Sequence, residues 1–335
     1  MGGGGGYAED VFVAKNKNNG SDSFQRPITV ASGEYGTFGS SIAVGEYQSN
    51  TIAHVAWTNA NNEVKYSRDV GLSGTYEPPQ LLSQPITGDP DTGDNWGVSI
   101  AADNNGNVYA VWHSRIDSNY EEDIYIARSQ NGGESGSWGL PKLVNGDWGS
   151  FGYERTWRDL FPSIVVDSSG NLHLTFSWGG EIMYTKSEDN GQTWPYLVSA
   201  QGGAPYPNYG FPSIATLDGT NIYISWTYGG YVYCVSSYDG GVSWDALSAI
   251  NPVPALTYNG FTSVAVNQAG DVYVVNNNDH NLDVYKRLSG ETTWSTSNPY
   301  SISDTFDPNV ATDIDGNAAI MWLDYSADTV NFIRN

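Results

Sequence analysis

The sequence predicts an all-β protein, a six-bladed β-propeller of four-stranded antiparallel blades. Three observations predict it. One segment pattern recurs six times along the chain. Within each copy the apolar residues alternate with polar ones and never take a helical period. The copies are punctuated by turns of Asp, Asn and Gly.

The repeat openers read "SSIAV" at 40, "VSIAA" at 98, "PSIVV" at 162, "PSIAT" at 212, "TSVAV" at 262 and "PNVAT" at 308. Each is the first strand of a unit, centred on Ile42, Ile100, Ile164, Ile214, Val264 or Val310. A polar turn follows, often Asp-x-x-Gly-Asn as in "DNNGN", "DSSGN" and "DIDGN". Asp and Asn bond their own backbone in such turns, and Gly accepts positive φ. The second strand ends in an aromatic, at Trp112, Phe176, Trp226 and Trp322, whereas "DVYVVN" ends at Asn276. A third run follows ("EVKYSRD", "DIYIARS", "EIMYTKS", "YVYCVSS"), then a weaker fourth such as "PQLLS" or "PKLVN". Four-stranded units of about fifty residues are the mark of propeller blades.

Composition narrows the function. The 335 residues hold 14 Lys+Arg against 37 Asp+Glu, a net charge of −23. Nucleic acid is excluded, since binding it needs cations to displace counterions from phosphates. Anionic lipid is excluded for the same reason. No apolar run reaches the ~18 residues of a membrane span. The single cysteine, Cys234, rules out an internal disulfide and any paired-cysteine metal site. It lies in the strand-like "GYVYCVSS" and reads as a small buried hydrophobe. The four histidines fall in four different repeats, which argues against zinc. The acidic loop "DPDTGDN" at 89–95 lacks calcium-hand spacing and reads as a solvated loop. Neither a metal nor a cofactor is expected. The opening "MGGGGG" reads as a linker or junction, leaving residues 7–335 as one domain. Rich Asn, Gly, Tyr and Trp with little Lys suits an extracellular or cell-surface setting.

Two turns are almost identical: "SEDNGQTW" at 187 and "SYDGGVSW" at 237, both Ser-x-Asp-x-Gly-x-x-Trp. Weaker copies are Ser67, Asp69, Gly71 with Tyr76, and Ser129, Asn131, Gly133 with Trp138; "KRLSGETTW" keeps Trp294. These turns resemble the Asp-boxes, or bacterial neuraminidase repeats, of sialidases and sialidase-like propellers. In that family the boxes lie far from the catalytic face, so the resemblance implies a structural role for them. It also implies, for a true sialidase, three arginines clamping a carboxylate, a Tyr–Glu nucleophile pair, an acid/base Asp and an early Arg-Ile-Pro segment. The segment "QRPI" at 25–28 is a poor match to the last. Arg68, Arg128 and Arg287 lie on or beside third strands and Arg334 is next to the last residue, leaving Arg115, Arg155 and Arg158 crowded into one stretch.

If the boxes take one face of a propeller, a ligand takes the other, built from the loops between second and third strands and those between units. Two of these are long and adjacent: "HSRIDSNYEED" at 113–123 and "GDWGSFGYERTWRD" at 146–159. They gather Arg115, Tyr120, Trp148, Tyr153, Glu154, Arg155, Trp157, Arg158 and Asp159, with Tyr209 on the same face. Aromatic rings stack on sugar faces, and charged groups bond hydroxyls. The sequence therefore reads as a non-catalytic, carbohydrate-binding extracellular module with glycan or polysaccharide as its partner. A glycoside hydrolase using Glu154 and Asp159 is the alternative, and a structural module of a larger surface protein a third. The aromatics before each opener (Phe38, Trp96, Phe161, Phe211, Phe261, Phe306) recur too regularly for a site and read as packing between blades. The last unit lacks a fourth strand, and "DVFVAKN" at 10–16 and "RPITVA" at 26–31 are expected to close it. The final "ADTVNFIRN" duplicates "AEDVFVAKN", which also offers a strand for self-association.

Overall fold

The computed structural model describes residues 8–13, 27–35, 39–84, 95–115, 122–144, 159–201, 210–251, 260–278, 281–301, 305–313, 315–324 and 329–334. Among them there is no helix; every element is a β-strand. Each of the six repeats forms one antiparallel sheet. Sheet I holds β3 (Ser40–Tyr47), β4 (Asn50–Thr58), β5 (Val64–Val70) and β6 (Gln80–Leu81). Sheet II holds β7 (Asn95–Ala102), β8 (Val108–Arg115), β9 (Glu122–Ser129) and β10 (Lys142–Leu143). Sheet III holds β11 (Asp159–Val166), β12 (Leu172–Trp178), β13 (Glu181–Ser187) and β14 (Leu197–Ser199). Sheet IV has three strands, β15 (Ser213–Thr216), β16 (Ile222–Tyr228) and β17 (Tyr231–Ser237), with a lone bridge from Tyr233 to Ala249 where a fourth would lie. Sheet V holds β18 (Thr262–Val266), β19 (Val272–Asn278), β20 (Asn281–Arg287) and β21 (Ser295–Ser301). Sheet VI holds β22 (Thr305–Thr312), β23 (Ala318–Asp324) and β24 (Thr329–Arg334).

Ahead of the repeats, β1 (Ala8–Val13) pairs with β2 (Ile28–Tyr35) as a separate two-stranded sheet. Of the two similar terminal segments it is the last one, β24, that takes the third position beside β23. Val11, Val30 and Ala31 pack on Val55 and Trp57 of sheet I. Glu34 fastens this pair, accepting from Asn59 Nδ2 at 2.9 Å and lying 3.0 Å from Lys65 Nζ.

The chain divides into two compact units, residues 1–164 with 191–194, and residues 165–190 with 195–335. One device recurs in both. The first strand of each sheet is an edge strand, so every second N–H points away from its own sheet, and buried N–H groups need partners. A serine from the preceding first strand supplies one. In the first unit Ser41 Oγ accepts from Ile100 N–H at 3.1 Å and Ser99 Oγ from Ile164 N–H at 3.2 Å. In the second, Ser213 Oγ accepts from Val264 N–H and Ser263 Oγ from Val310 N–H, each at 3.2 Å. The apolar residues whose N–H groups donate these bonds are buried, at 5–6 % exposure. Ile42, with no repeat before it in the sequence, is 49 % exposed.

The turns follow their sequence chemistry. Asp103 Oδ1 accepts from the N–H of Asn105 and Asn107, both at 2.8 Å. Asp167 repeats this with Ser169 and Asn171. In the turn after β17, Ser237 Oγ donates to Asp239 Oδ1 at 2.8 Å and accepts from Gly241 N–H at 2.8 Å. Asp239 accepts from both the N–H and the hydroxyl of Ser243. Gly241 has φ +91°, and a Cβ there would overlap the Tyr184 ring of the preceding sheet. Gly133 stands in the same way against Tyr66. The turn tryptophans complete the contact: Trp244 meets Tyr184 edge-on at 5.2 Å, and Trp138 meets Tyr66 at 4.7 Å. These glycines therefore serve close approach as well as positive φ.

Repeat one departs from its sequence match. Pairing register puts Asp69, opposite Ala53, level with Ser187 opposite Leu172 and Ser237 opposite Ile222. Asp69 rather than Ser67 then does the serine's work, accepting from Gly74 N–H at 2.8 Å and from the Ser73 hydroxyl at 2.7 Å. Ser67 instead donates to the Glu77 carbonyl.

Two predictions follow from these bonds. Ser99→Ala and Ser263→Ala each orphan a buried N–H, at a cost of about 1–3 kcal/mol; thermal melts should drop by several degrees, while Ser→Thr at either position restores part of the loss. Equal melting of the alanine variants would show that the stitch is not stabilising. The second concerns acid. Hydrogen bonds, above all from the Ser243 hydroxyl, pull the Asp239 carboxyl down from 3.8 to about 2. A group depressed on folding contributes stability above its unfolded value and loses it as pH falls through the folded one. The Tm gap between wild type and Asp239→Asn should thus be full above pH 4 and close between pH 4 and 2; a gap unchanged at pH 2 would mean the charge is not what holds the turn.

Candidate functional site

Of the loops singled out in the sequence, residues 113–115 end β8, 122–123 open β9 and 159 opens β11, while residues 116–121 and 146–158 lie outside the described residues. The described side chains where β8 gives way to β9 form a small, dense cluster. Arg115, the last residue of β8, lies opposite Glu122, the first of β9, with 3.7 Å between Nη2 and the carboxylate. Its guanidinium sits over the Trp96 ring, 5.6 Å from the centroid. Trp96 and its neighbour are anchored to sheet I: Trp96 Nε1 donates to Asn62 Oδ1 at 3.4 Å, and Asn95 Nδ2 to the Asn62 carbonyl at 2.5 Å. Trp112 Nε1 donates to Asn95 Oδ1 at 3.0 Å.

His113 lies beneath, fully buried. It meets Trp96 edge-on at 6.3 Å and Phe161 at 5.4 Å. Its Nδ1 accepts from Phe161 N–H at 3.4 Å. Gly97 rests on the ring so closely that a Cβ would come within 2.9 Å. Phe161 holds φ +55°, a costly conformation for a bulky side chain. Gly39 and Gly97, each two residues before an opener serine like Phe161, share the positive φ at no such cost. The strained residue thus lies at the exit of the 146–159 loop.

Glu122 and Asp123 are buried at 2 % and 1 % exposure, and Arg115 keeps a quarter of its side chain in solvent. The cluster presents a partly exposed cation stacked on an indole and backed by carboxylates. That combination can stack a ring and donate hydrogen bonds to oxygen. Sequence reasoning had the Arg115 loop but missed Glu122 and Asp123, although the "EED" run ending that loop was there to be read; it assigned Trp96 to packing. Of the other sequence-predicted site residues, Asp159 opens β11 by its backbone, while Tyr120, Trp148, Tyr153, Glu154, Arg155, Trp157, Arg158 and Tyr209 lie outside the described residues. So do Asp89, Asp91 and Asp94 of the acidic loop.

The remaining reactive side chains are held structurally. His54 Nδ1 and His173 Nδ1 lie 2.7 and 2.8 Å from the hydroxyls of Tyr66 and Tyr184. Burial pulls His54 down from 6.5 to about 4. Burial also lowers His173, against the opposing pull of Asp167 at 3.2 Å. Cys234 is buried, and burial pushes its thiol up to about 12, far from a nucleophile's range. Arg68 pairs with Glu77 through two bonds of 2.9 Å and donates to the Gly132 carbonyl. Arg287 lies over Tyr223 and Trp294 and donates to Ser236 Oγ. Among the described residues no three His, Cys, Asp or Glu side chains are grouped to hold a metal ion. Among them too, no helix is long and apolar enough to cross a membrane.

The fold is sialidase-like. The Hadza microbial sialidase Hz136 superposes with a TM-score of 0.58 at 14% identity, covering 88% of this chain and 64% of its own. The intramolecular trans-sialidase of Ruminococcus gnavus, solved with oseltamivir carboxylate, gives 0.61 at 12% identity, over 90% of this chain and 94% of its own. A protein of unknown function from Dyadobacter fermentans gives 0.60 at 12% identity, over 94% and 93%. The chain thus spans about two thirds of the length of the Hadza enzyme. No protein-family model matches the sequence, and no curated protein matches it.

Arg115→Ala should leave Glu122 without its facing cation and Trp96 without its cover. A loss of about 1–3 kcal/mol is expected, read as a lower Tm. Arg115→Lys, which keeps the charge but not the flat stacking group, should recover only part. A Tm unmoved by either change would mean the pair carries no stability.

Proposed function

We propose that the six sheets are the blades of a six-bladed propeller that works as a non-catalytic recognition module for glycans at the cell surface or outside the cell. The observation that carries this reading is the cluster at Arg115. A partly exposed guanidinium lies on an indole, backed by a buried carboxylate, at the end of sheet II where β8 gives way to β9. Stacking rings and fixed charges are what sugars need from a protein surface. Tyr120, Trp148, Tyr153, Glu154, Arg155, Trp157, Arg158, Asp159 and Tyr209 extend the proposed site from the loops singled out in the sequence.

The non-catalytic part is supported by the arginines. Arg68 and Arg287 are committed to pairs and stacks on the third strands of their sheets. They are not at hand for a carboxylate clamp. The sialidase-like neighbours support glycan as the ligand class. The turns after β13 and β17, read as Asp-boxes, are scaffold in this proposal. The alternative, a glycoside hydrolase working through Glu154 and Asp159, is separated by one assay.

Binding to a glycan array with no turnover of sialosides or other aryl glycosides is the expected result. The triple variant Trp148→Ala, Tyr153→Ala, Trp157→Ala should lose array binding while its Tm stays within a few degrees. Turnover abolished by Glu154→Gln would establish the hydrolase instead. A triple variant that melts far lower would make those rings packing and the loop no site.

A further inference from the structure

Between sheets V and VI, at the end where each first strand gives way to the second, lies a cleft of about 370 Å³. Asn267, Ala269, Asp271 and Lys286 of repeat five line one side, and Gly316 and Asn317 of repeat six the other. All belong to the second compact unit. The volume falls at the lower end of the range for small-ligand sites. Solvent reaches in: Lys286 keeps 34 % of its side chain exposed and Asp271 16 %.

Repeat one shows why the space is there. β3 runs on to Tyr47, and Tyr47 fills the matching place between sheets I and II, where a Cβ on Gly106 or Gly132 would overlap its ring. Tyr47 lies five residues after the opener's Ile42; five after Val264 is Ala269. Gly106 lies six residues after Ile100, and six after Val310 is Gly316. The glycine is kept and the ring is not. Between sheets V and VI the ring's place has only a methyl group beside it.

The lining is polar and held in position. Lys286 Nζ lies 3.2 Å from Asp271 Oδ2 and 5.0 Å from the centroid of the Tyr273 ring. Asp271 Oδ1 also accepts from Ser289 N–H at 3.0 Å. Asn267 Nδ2 donates to the Gly316 carbonyl at 3.0 Å, tying the two turns together. Asp315 adds a second carboxylate to the wall. A fixed donor and a fixed acceptor thus stand side by side at a space of ring size.

We propose that this cleft is a second saccharide-binding site, which takes a sugar ring with two vicinal hydroxyls on Lys286 and Asp271. The chemistry selects the class. A diol donates from one hydroxyl to the carboxylate and accepts at the other from the ammonium. A bare anion would face Asp271 and Asp315, and a bare cation the Lys286 ammonium. An aromatic guest would bury those polar groups without partners. The ligand class rests on the recognition reading, but the place shares no residue with it. The cleft lies where first strands give way to second, the Arg115 cluster where a second gives way to a third.

The test titrates the ¹⁵N-labelled full-length chain with galactose, glucose, mannose and N-acetylglucosamine. It follows the backbone amides of Ala269 and Gly316 and the indole N–H of Trp96. One of the sugars should shift both amides saturably. Ala269→Tyr, which restores the ring of repeat one at an exposed position, and Lys286→Gln should each weaken that binding about tenfold or more. The triple variant Trp148→Ala, Tyr153→Ala, Trp157→Ala should leave it unchanged. Binding that persists in both cleft variants overturns the proposal. A sugar that moves Trp96 but neither amide overturns the cleft and leaves the recognition reading standing. One that moves the amides but not Trp96 supports the cleft and removes the Arg115 cluster from that reading. If no sugar moves any of the three, the cleft is overturned, and the glycan array decides the recognition reading by itself. Calcium chloride or sodium acetate alone reproducing the shifts would overturn the saccharide in favour of an ion.

Discussion

The bond between a serine hydroxyl and the backbone N–H of the next repeat is the interaction on which the rest depends. A four-stranded sheet has two edges, and its first strand turns a row of N–H groups away from its own hydrogen-bond ladder. Buried against the neighbouring sheet, those groups cannot reach water. Ser41, Ser99, Ser213 and Ser263 answer this with a side chain on the strand next door. The bond sets the height of one sheet against the next. Once height is fixed, Val264 can pack on Tyr223 and Val232, and Tyr66 can reach Gly133.

At the outer strands the same problem is met by aromatic rings. Tyr66 and Tyr184 each lie between a buried histidine and the glycine of the next sheet's turn. The tyrosine hydroxyl satisfies the histidine, and its ring fills the place a Cβ would take. Where the pattern lapses, other chemistry bridges the gap. In repeat five Arg287 stands at the level of Ser237 and reaches back to Ser236 of the preceding sheet. The lining between sheets is thus flexible in kind and constant in geometry.

Much of this was legible in the sequence. Strand positions and turns could be read because alternation and Asp-x-x-Gly-Asn spacing are local, and local signals survive without a fold. The opener serines stand plainly in the sequence, but their role does not. A serine in a strand looks like any polar residue in alternation, and its partner lies some fifty residues away. Asp69 was misread because an Asp at a serine's level looks like the Asp of a shifted box. Of the candidate site the sequence gathered loops by length and composition, and irregular loops have no period to test. Arg115 could be placed on Trp96 and Glu122 because it ends a strand. The buried carboxylates beside it were missed, since a charged run at a loop's end usually signals solvent.

The stitch has a direction. Ser99 and Ile100 carry the accepting hydroxyl oxygen and the donating N–H on adjacent residues, as Ser263 and Val264 do. A repeat is therefore self-sufficient as a building part: whatever copy precedes it can supply its acceptor, and it can supply any copy that follows. Such a part can be duplicated, deleted or moved along a gene with its joints intact. Growth by tandem duplication then needs no new interface: the joint recurs at Ser41, Ser99, Ser213 and Ser263, while loops and linings have drifted apart.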